Sequence, residues 1–548
     1  MKVSKKVVGV SLALSLAVGS LSIDTAPQSV GAKKEGPKVD NVIVLVMDGA
    51  SSSATTLARW YKGEPLAMDQ ILTGGVRTYS ADSAITDSAP AGTAFATGNK
   101  SNDKFVGVLP EVITSPGVDP SLADDPFKPV ANVLEGAKQN GKATGIISTS
   151  EIQHATPAAF SSHAANRSEY DNIAEQQVYQ DMDVILGGGK NSLTTEDNSG
   201  TRKDGEDLLS VIEDRGYDFV ENRDDLLSSK SSKLWGSFAP AQLAYDMDRE
   251  TTNPDEPTLS EMTGKAISTL SKDKDGFFLF VEGSKPDWAA HANDSIGMIS
   301  DILAFDEAVG EAIEFAKKDK HTMVIAVSDH GNSGISIGNE NTTKTYSNTP
   351  VSNYIDPLKE ATLTLEGAMK QLEEDRSNLE EVAALYGLAD LSKKEKRALN
   401  KSENLQKTFV ELLAQRADIG FTTGGHTGED LFLYSYGPGK PVGFIENTDV
   451  AHSVASAFGF DLKKLDKQLF VDAEIAFKAA GFTVKKDVTD EQNPVLVVTK
   501  GKKTAEFPVN KNVVTINGKE KELDSVTVST KGDFFVSKEA VKLVKKSK

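Results

Sequence analysis

The stretch Asn41–Ala50, "NVIVLVMDGA", decides the reading of the fold. Its apolar run shows no polar alternation, as in a strand buried on both faces, and it stops at an acid, Asp48. Similar runs recur as "KATGIISTS" at 142–150, "DVILGG" at 183–188, "GFFLFVEG" at 276–283 and "TMVIAVSDHG" at 322–331. Amphipathic helical patterns lie between them, such as "FKPVANVLEGAKQNG" and "IGMISDILAFDEAVGEAIEFAKKD". This alternation predicts an α/β fold, a largely parallel central sheet with helices on both faces.

A chain of 548 residues exceeds one ordinary core, so additions to a large domain are expected. We read 33–466 as one large domain, with 356–415 as a charged helical insertion, and 467–548 as a small β-rich module. The insertion is packed over the domain or at a subunit contact; a solvated helical pair is the plainer alternative. From Gly481 to Lys548 there are 14 Lys against 9 Asp and Glu, in a chain whose net charge is −20. Val, Thr and Ile alternate there with Lys and turn residues, as in small hairpins. A basic segment on an acidic chain suggests adhesion to an anionic cell wall.

Residues 1–32 read as a signal peptide. Basic "MKVSKK" precedes apolar "VVGVSLALSLAVGSL", and Val30-Gly31-Ala32 offers a small-residue cleavage site. The alternative, a membrane anchor, would need an apolar run of ~20 residues. A secreted protein is therefore expected. The absence of cysteine removes thiolate catalysis and cysteine-held zinc, so any metal would be held by His, Asp and Glu. The acidic balance excludes nucleic acid as a specific partner, but not a small anionic substrate.

Acids and histidines gather at predicted strand ends. Asp48 follows the first strand, His154 and Thr156 the second, Glu282 ends the "FFLFV" strand, and Asp329 and His330 follow "MVIAVS". Those ends border the ligand crevice of an open α/β sheet. In "VEGSKPDWAAHAND", Asp287 and His291 are spaced i, i+4, which places two metal ligands on one helix face. Alternatively Asp287 caps a helix and His291 is a surface residue. His426 lies in a glycine-rich loop, "TTGGHTGED". His163, near Arg167, is expected to support the site from behind, and His321 and His452 to be structural or solvent-facing.

"TDSAPAGTAFATG" places Ser88 at a helix N-terminus, where backbone N–H groups and the dipole favour an anion. Ser88 is either a nucleophile in need of activation or a plain cap. Asp87 beside it is a candidate base.

Together, "VMDGAS", "TDSAPAGTAFATG", "HATPAAFSSHAANR", "VEGSKPDWAAH", "SDHG" and "GGHTGEDLFLYSYG" resemble the bacterial alkaline phosphatases, in family order over about 40–460. "VTINGKEKEL…FFVSKEAVKLV" more weakly resembles stalk-like modules of bacterial surface proteins. The resemblance implies one zinc held by Asp287, His291 and His426, and a second held by Asp48, Asp329 and His330, with Ser88 as its nucleophilic ligand. A third site, usually magnesium, would use Asp48, Thr156 and Glu282. Arg167 would clamp two phosphate oxygens, and metal would replace Asp87 as the activator of Ser88. One branch of the family has Asp and Lys where this chain has His154 and Trp288, so here the third site gains the His154 imidazole, directly or as a water-mediated neighbour, and phosphate loses a cationic contact. Implied are hydrolysis of phosphate monoesters through a phosphoserine and, commonly, a homodimer. A diesterase or sulfatase-like relative and a non-catalytic phosphate-binding protein are the rival readings.

Overall fold

The computed structural model describes residues 38–196 and 200–547, so the expected signal peptide lies outside the described residues. Ten strands form the main sheet. They are β1 (Asn41–Met47), β2 (Leu72–Arg77), β3 (Ala143–Glu151), β4 (Val184–Gly188) and β5 (Asp218–Val220). The others are β6 (Leu234–Ser237), β7 (Phe277–Gly283), β8 (Thr322–Ser328), β9 (Leu431–Tyr436) and β10 (Gly443–Glu446). Their order across the sheet is β10-β2-β9-β8-β1-β7-β3-β4-β6-β5. Only β9 runs antiparallel to its neighbours, β2 and β8. The remaining neighbours pair in parallel.

The apolar run of β1 is explained by its position in the middle of the sheet, where every residue is buried. Period-two alternation sends Ile43, Leu45 and Met47 into one core and Val42, Val44 and Val46 into the other. The first core packs under the long helix Ser295–Asp319, which Asp294 caps by accepting from the Ile296 N–H. The second includes Phe95 and Phe160 from the two small-residue helices, Ser88–Thr97 and Ala155–Ser161.

The charged segment forms five helices rather than a solvated pair: Val351–Lys359, Leu365–Lys370, Leu379–Leu385, Lys393–Lys401 and Leu405–Arg416. Their charges face outward, while Tyr354, Leu358, Phe409 and Leu413 join the same core as Ile43 and Leu45. Asp294 fastens the insertion as well as capping its own helix. Its carboxylate accepts from the Leu365 N–H and the Tyr386 hydroxyl, each at 2.9 Å.

The C-terminal segment builds a five-stranded antiparallel sheet over 483–522 and a three-stranded one. Phe477, Leu496, Phe507 and Val514 fill its own core. It is no free stalk, because it belongs to the same compact unit as the rest of the described residues. Asn510 donates to Asn172 and Glu175 and accepts from Gln176, and Lys511 pairs with Glu175 and Glu206.

Candidate active site

Four adjacent strands, β8-β1-β7-β3, carry the acids to one level. Register pairs Met47 with both Gly283 and Ser328, so Asp48 and Asp329 leave neighbouring strands side by side. Glu282 stands opposite Ser148 of β3. All three carboxylates are fully buried. Burial, then the carboxylates of Asp329, Asp287 and Glu282, drives Asp48 well above the usual carboxylate range. Burial likewise pushes Glu282 and Asp329 up to about 7, against hydrogen bonds from Ser148 and Ser284 in one case and Gly49 N–H in the other. A cluster of carboxyls made this reluctant to ionise is suited to a cation.

Ser88 is the first residue of the helix Ser88–Thr97, with Asp87 in the cap position. Its hydroxyl is buried and does no capping. Oγ lies 3.2 Å from His330 Nε2 and 3.4 Å from Asp48 Oδ2. The small residues behind it have a packing reason: a Cβ on Gly92 would meet Ala159 Cβ and Thr156 Cα at 3.2 Å. Larger residues would push the serine helix off the helix Ala155–Ser161.

The i, i+4 pair is realised on the short helix Lys285–His291. His291 Nδ1 lies 2.9 Å from the Gly424 carbonyl and His426 Nδ1 lies 3.0 Å from that of Thr86. Carbonyls only accept, so each Nδ1 carries the proton and each Nε2 keeps a lone pair. Those two Nε2 atoms are 3.2 Å apart and within 3.5 Å of the Asp287 carboxylate. Two lone pairs aimed at each other call for a cation between them. A proton is the alternative occupant on the His291 side: the hydrogen-bonded Asp287 carboxylate raises His291 to about 9, so a metal ion there would displace a proton from Nε2. Asn332 donates to Asp287 Oδ1 at 2.7 Å and fixes its rotamer.

His330 Nε2 lies 3.4 Å from both Asp48 Oδ1 and Asp329 Oδ2, and burial holds its ring below the usual histidine range. At the third cluster, Glu282 Oε2 accepts from Ser148 at 2.6 Å and Ser284 at 2.7 Å. Glu282 Oε1, Thr156 Oγ1, His154 Nδ1 and Asp329 Oδ2 are buried with no hydrogen-bond partner. Such orphans are costly, and their gathering at two clusters fits bound metal. Among the described residues, the groups within one-ion reach include Asp287, His291 and His426; Asp48, Asp329 and His330; and Asp48, His154 and Glu282.

Arg167 is held by two partners. It donates to Asp87 Oδ2 at 2.7 Å and to His154 Nε2 at 2.8 Å. Burial and the guanidinium push His154 down to about 3, so its ring is a neutral acceptor. Trp288 meets His154 edge-on, with ring centroids 5.8 Å apart. A cavity of about 640 Å³, lined by Asp87, Arg167, Tyr170 and His426, leads in from solvent.

Sequence and structure diverge at four places. His163 turns away from the site; it bonds the Gly107 carbonyl and Glu135 and packs edge-on against Phe470. Asp87 holds the arginine, and its position directly before Ser88 was the only available signal. The serines around Glu282 were legible only as the "STS" end of β3, and buried Lys285, stacked on Tyr245 and Trp288, gave no signal.

Residues 39–460 match the alkaline phosphatase family profile. The chain belongs to the alkaline phosphatase family. Alkaline phosphatase 3 of Bacillus subtilis is 36% identical over 495 residues, 85% of this chain and 100% of that protein. The repressible alkaline phosphatase of Saccharomyces cerevisiae is 29% identical, over 80% of this chain and 85% of that one. Thermus thermophilus alkaline phosphatase superposes with a TM-score of 0.67 at 28% identity, covering 78% of this chain and 92% of its own. As an alkaline phosphatase the chain is a hydrolase of phosphate monoesters. Residues 456–544, outside most of that match, fit the profile of the copper amine oxidase N-terminal domain.

Proposed function

We propose that this alkaline phosphatase is exported and transfers the phosphoryl group of a monoester to Ser88, then to water, at a site of two zinc ions and one magnesium. The observation that carries the reading is the buried Ser88 hydroxyl at a helix N-terminus, between Asp48 and His330 and beside an arginine already held in place. Asp287, His291 and His426 would hold one zinc, and Asp48, Asp329 and His330, with Ser88, the second. Asp48, Thr156 and Glu282 would hold magnesium, with His154, whose Nδ1 carries the proton while Nε2 accepts from Arg167, contributing through water. A variant of the alkaline phosphatase from the Antarctic bacterium TAB5 holds magnesium in a site designated M3. When bound, such ions ionise the serine hydroxyl and a water and neutralise the leaving oxygen.

The chain's own groups do the rest. Arg167 presents its fork to two phosphoryl oxygens, orienting phosphorus toward Ser88. Ser88 Oγ forms the new P–O bond as the bond to the alcohol breaks, with the electron pair leaving on the alcohol oxygen. The N–H groups at the start of the serine helix and Arg167 retain the phosphoryl group against loss. Water then attacks the phosphoserine, the P–Oγ bond breaks, and phosphate departs with Ser88 restored.

Export rests on residues 1–32; among the described residues no helix is long and apolar enough to cross a membrane. Retention at an anionic cell wall by the basic segment, and a homodimer, belong to the same reading. Turnover of a monoester, a diester and a sulfate ester by wild type and Ser88→Ala, with and without chelator, tests the chemistry. Monoester hydrolysis lost with Ser88→Ala and with chelation is expected. Unchanged turnover in either case refutes it, and preference for the diester replaces it.

A further inference from the structure

Two cavities converge on the paired imidazoles. The first is the entrance beside Arg167 and His426. The second, about 590 Å³, begins at His291 and Asn293 and runs along the insertion helix Leu405–Arg416. The reaction proposed above uses only the first.

The second is a groove with an apolar floor and uncharged character. Leu365, Val410, Ala414 and Ile419 line it and are buried, with half-buried Phe421 beside them. Its exposed walls carry amides, Gln406 and Gln415, and one ion pair, Lys407 with Glu411 at 3.8 Å, whose charges cancel. The walls are also fixed before anything binds. Asn404 caps the helix by accepting from the Lys407 N–H, and Asp294 holds Leu365 through its N–H. The side chain of His291 is 43% exposed, although the other ligands of the three candidate groups are largely buried, so the ligand set opens toward this groove.

Displacement in line places the departing oxygen opposite Ser88 Oγ; because Ser88 lies against Asp48 and His330, that oxygen leaves toward the other group, Asp287, His291 and His426. Whatever the alcohol carries beyond that oxygen must pass His291. A charged or sugar-like alcohol would find no counter-charge on the groove floor, whereas an aromatic or alkyl group would remove apolar surface from water there.

We propose that this groove, built by the helical insertion, is a leaving-group subsite selecting phosphate monoesters of apolar, aryl or alkyl alcohols. The inference rests on the monoesterase reading. Val410, Ala414 and Gln415 set specificity here and take no part in the chemistry.

The test is equilibrium binding of benzylphosphonate and methylphosphonate to the metal-replete full-length enzyme by calorimetry, backed by kcat/KM for 1-naphthyl phosphate and glycerol 2-phosphate. Wild type is expected to bind the benzyl compound at least tenfold more tightly and to favour the naphthyl ester similarly in KM. Ala414→Phe, which fills the groove, and Gln415→Trp, on an exposed wall where folding is not at risk, should both remove that preference. Neither should alter methylphosphonate affinity. Equal affinities in wild type, a preference that survives both variants, or an equal loss for both phosphonates overturns the subsite. Wild type that hydrolyses no monoester refutes the monoesterase reading itself, and the subsite falls with it.

Discussion

Stripping the metal should destabilise the protein, and more so in alkaline solution than in acid. With no ion between them, Glu282 and Asp329 titrate at about 7, raised by burial from 4.5 and 3.8. A carboxyl whose folded pKa is raised favours the fold while it is protonated. That contribution is complete below about pH 4, the unfolded value, and is lost as pH rises through about 7. At about 1.4 kcal/mol per unit, each group alone would cost the ion-free fold roughly 3–4 kcal/mol above pH 8. Their mutual repulsion is shared, so together they cost on the order of 5 kcal/mol. At ~2.1 cal/mol/K per residue, unfolding a domain of this size carries an entropy of roughly 1 kcal/mol/K, so the loss corresponds to about 5 °C in Tm. Cations bound in excess of their dissociation constants hold the same carboxylates ionised at both pH 5.5 and pH 9, which removes this dependence between them. The assay is scanning calorimetry of chelator-stripped and metal-replete protein at pH 5.5 and pH 9. About half of that loss has already occurred at pH 5.5, so the replete-minus-stripped gap should widen by about 2–3 °C between the two, and Glu282→Gln should narrow it at pH 9 by raising the stripped Tm. A gap that is constant with pH, or stripped Glu282→Gln that melts no higher than stripped wild type, refutes the reasoning.

Asp87→Asn keeps the side-chain shape but takes the charged partner from Arg167, a bond of 2.7 Å. At ~1.5–3 kcal/mol for a charge-assisted hydrogen bond, KM and the inhibition constant for phosphate should rise together, by about tenfold. Asp294→Ala removes a cap and leaves the Leu365 N–H and Tyr386 hydroxyl unpaired. A loss of about 3–5 kcal/mol, read from urea unfolding, with proteolysis appearing first within 360–400, is expected. Trp288→Lys should tighten phosphate inhibition several-fold by restoring a cation beside His154 and Arg167; an unchanged constant would sever the link between Trp288 and weak product binding. Lys511→Met leaves Glu175 and Glu206 facing each other without their cation. Breaking such a pair costs about 3–5 kcal/mol, and the melting point should fall further at pH 9 than at pH 5.5.

The central sheet was legible because β1, β7 and β8 are buried on both faces and so read as unbroken apolar runs. The candidate ligands were legible because strand ends are where the chain stops being apolar. What escaped was anything whose partner is distant in sequence. The charged insertion looks solvated residue by residue, since its buried side is one narrow stripe on each of several short helices. His163 sits in a motif with Arg167, yet its partners are Glu135 and Gly107, and no local pattern announces them. The neutrality of His154 depends on the guanidinium 2.8 Å away, a contact that sequence spacing does not disclose.

The C-terminal segment bears on the catalytic chemistry more directly than its composition suggests. Its Asn510 and Lys511 grip Asn172, Glu175 and Gln176, all on the helix Tyr170–Tyr179. That helix begins three residues after Arg167, whose own N–H donates to the Lys104 carbonyl at 2.8 Å. The arginine is therefore stretched between a loop that borders the entrance and a helix braced from outside by the module. Gln176 closes the same brace from within, accepting from the His163 N–H and donating to its carbonyl. A polar contact of this kind, buried and fully paired, loses far more when half of it is removed than it contributes over an apolar substitute. Deleting 481–548 to ask about the cell wall would thus also expose Glu175 and free the arginine helix. Wall retention and phosphate affinity would change together, for two unrelated reasons. Lysines on the outer surface of the module, such as exposed Lys502, Lys519 and Lys521, carry the basic charge without touching the brace, and replacing those alone separates adhesion from catalysis.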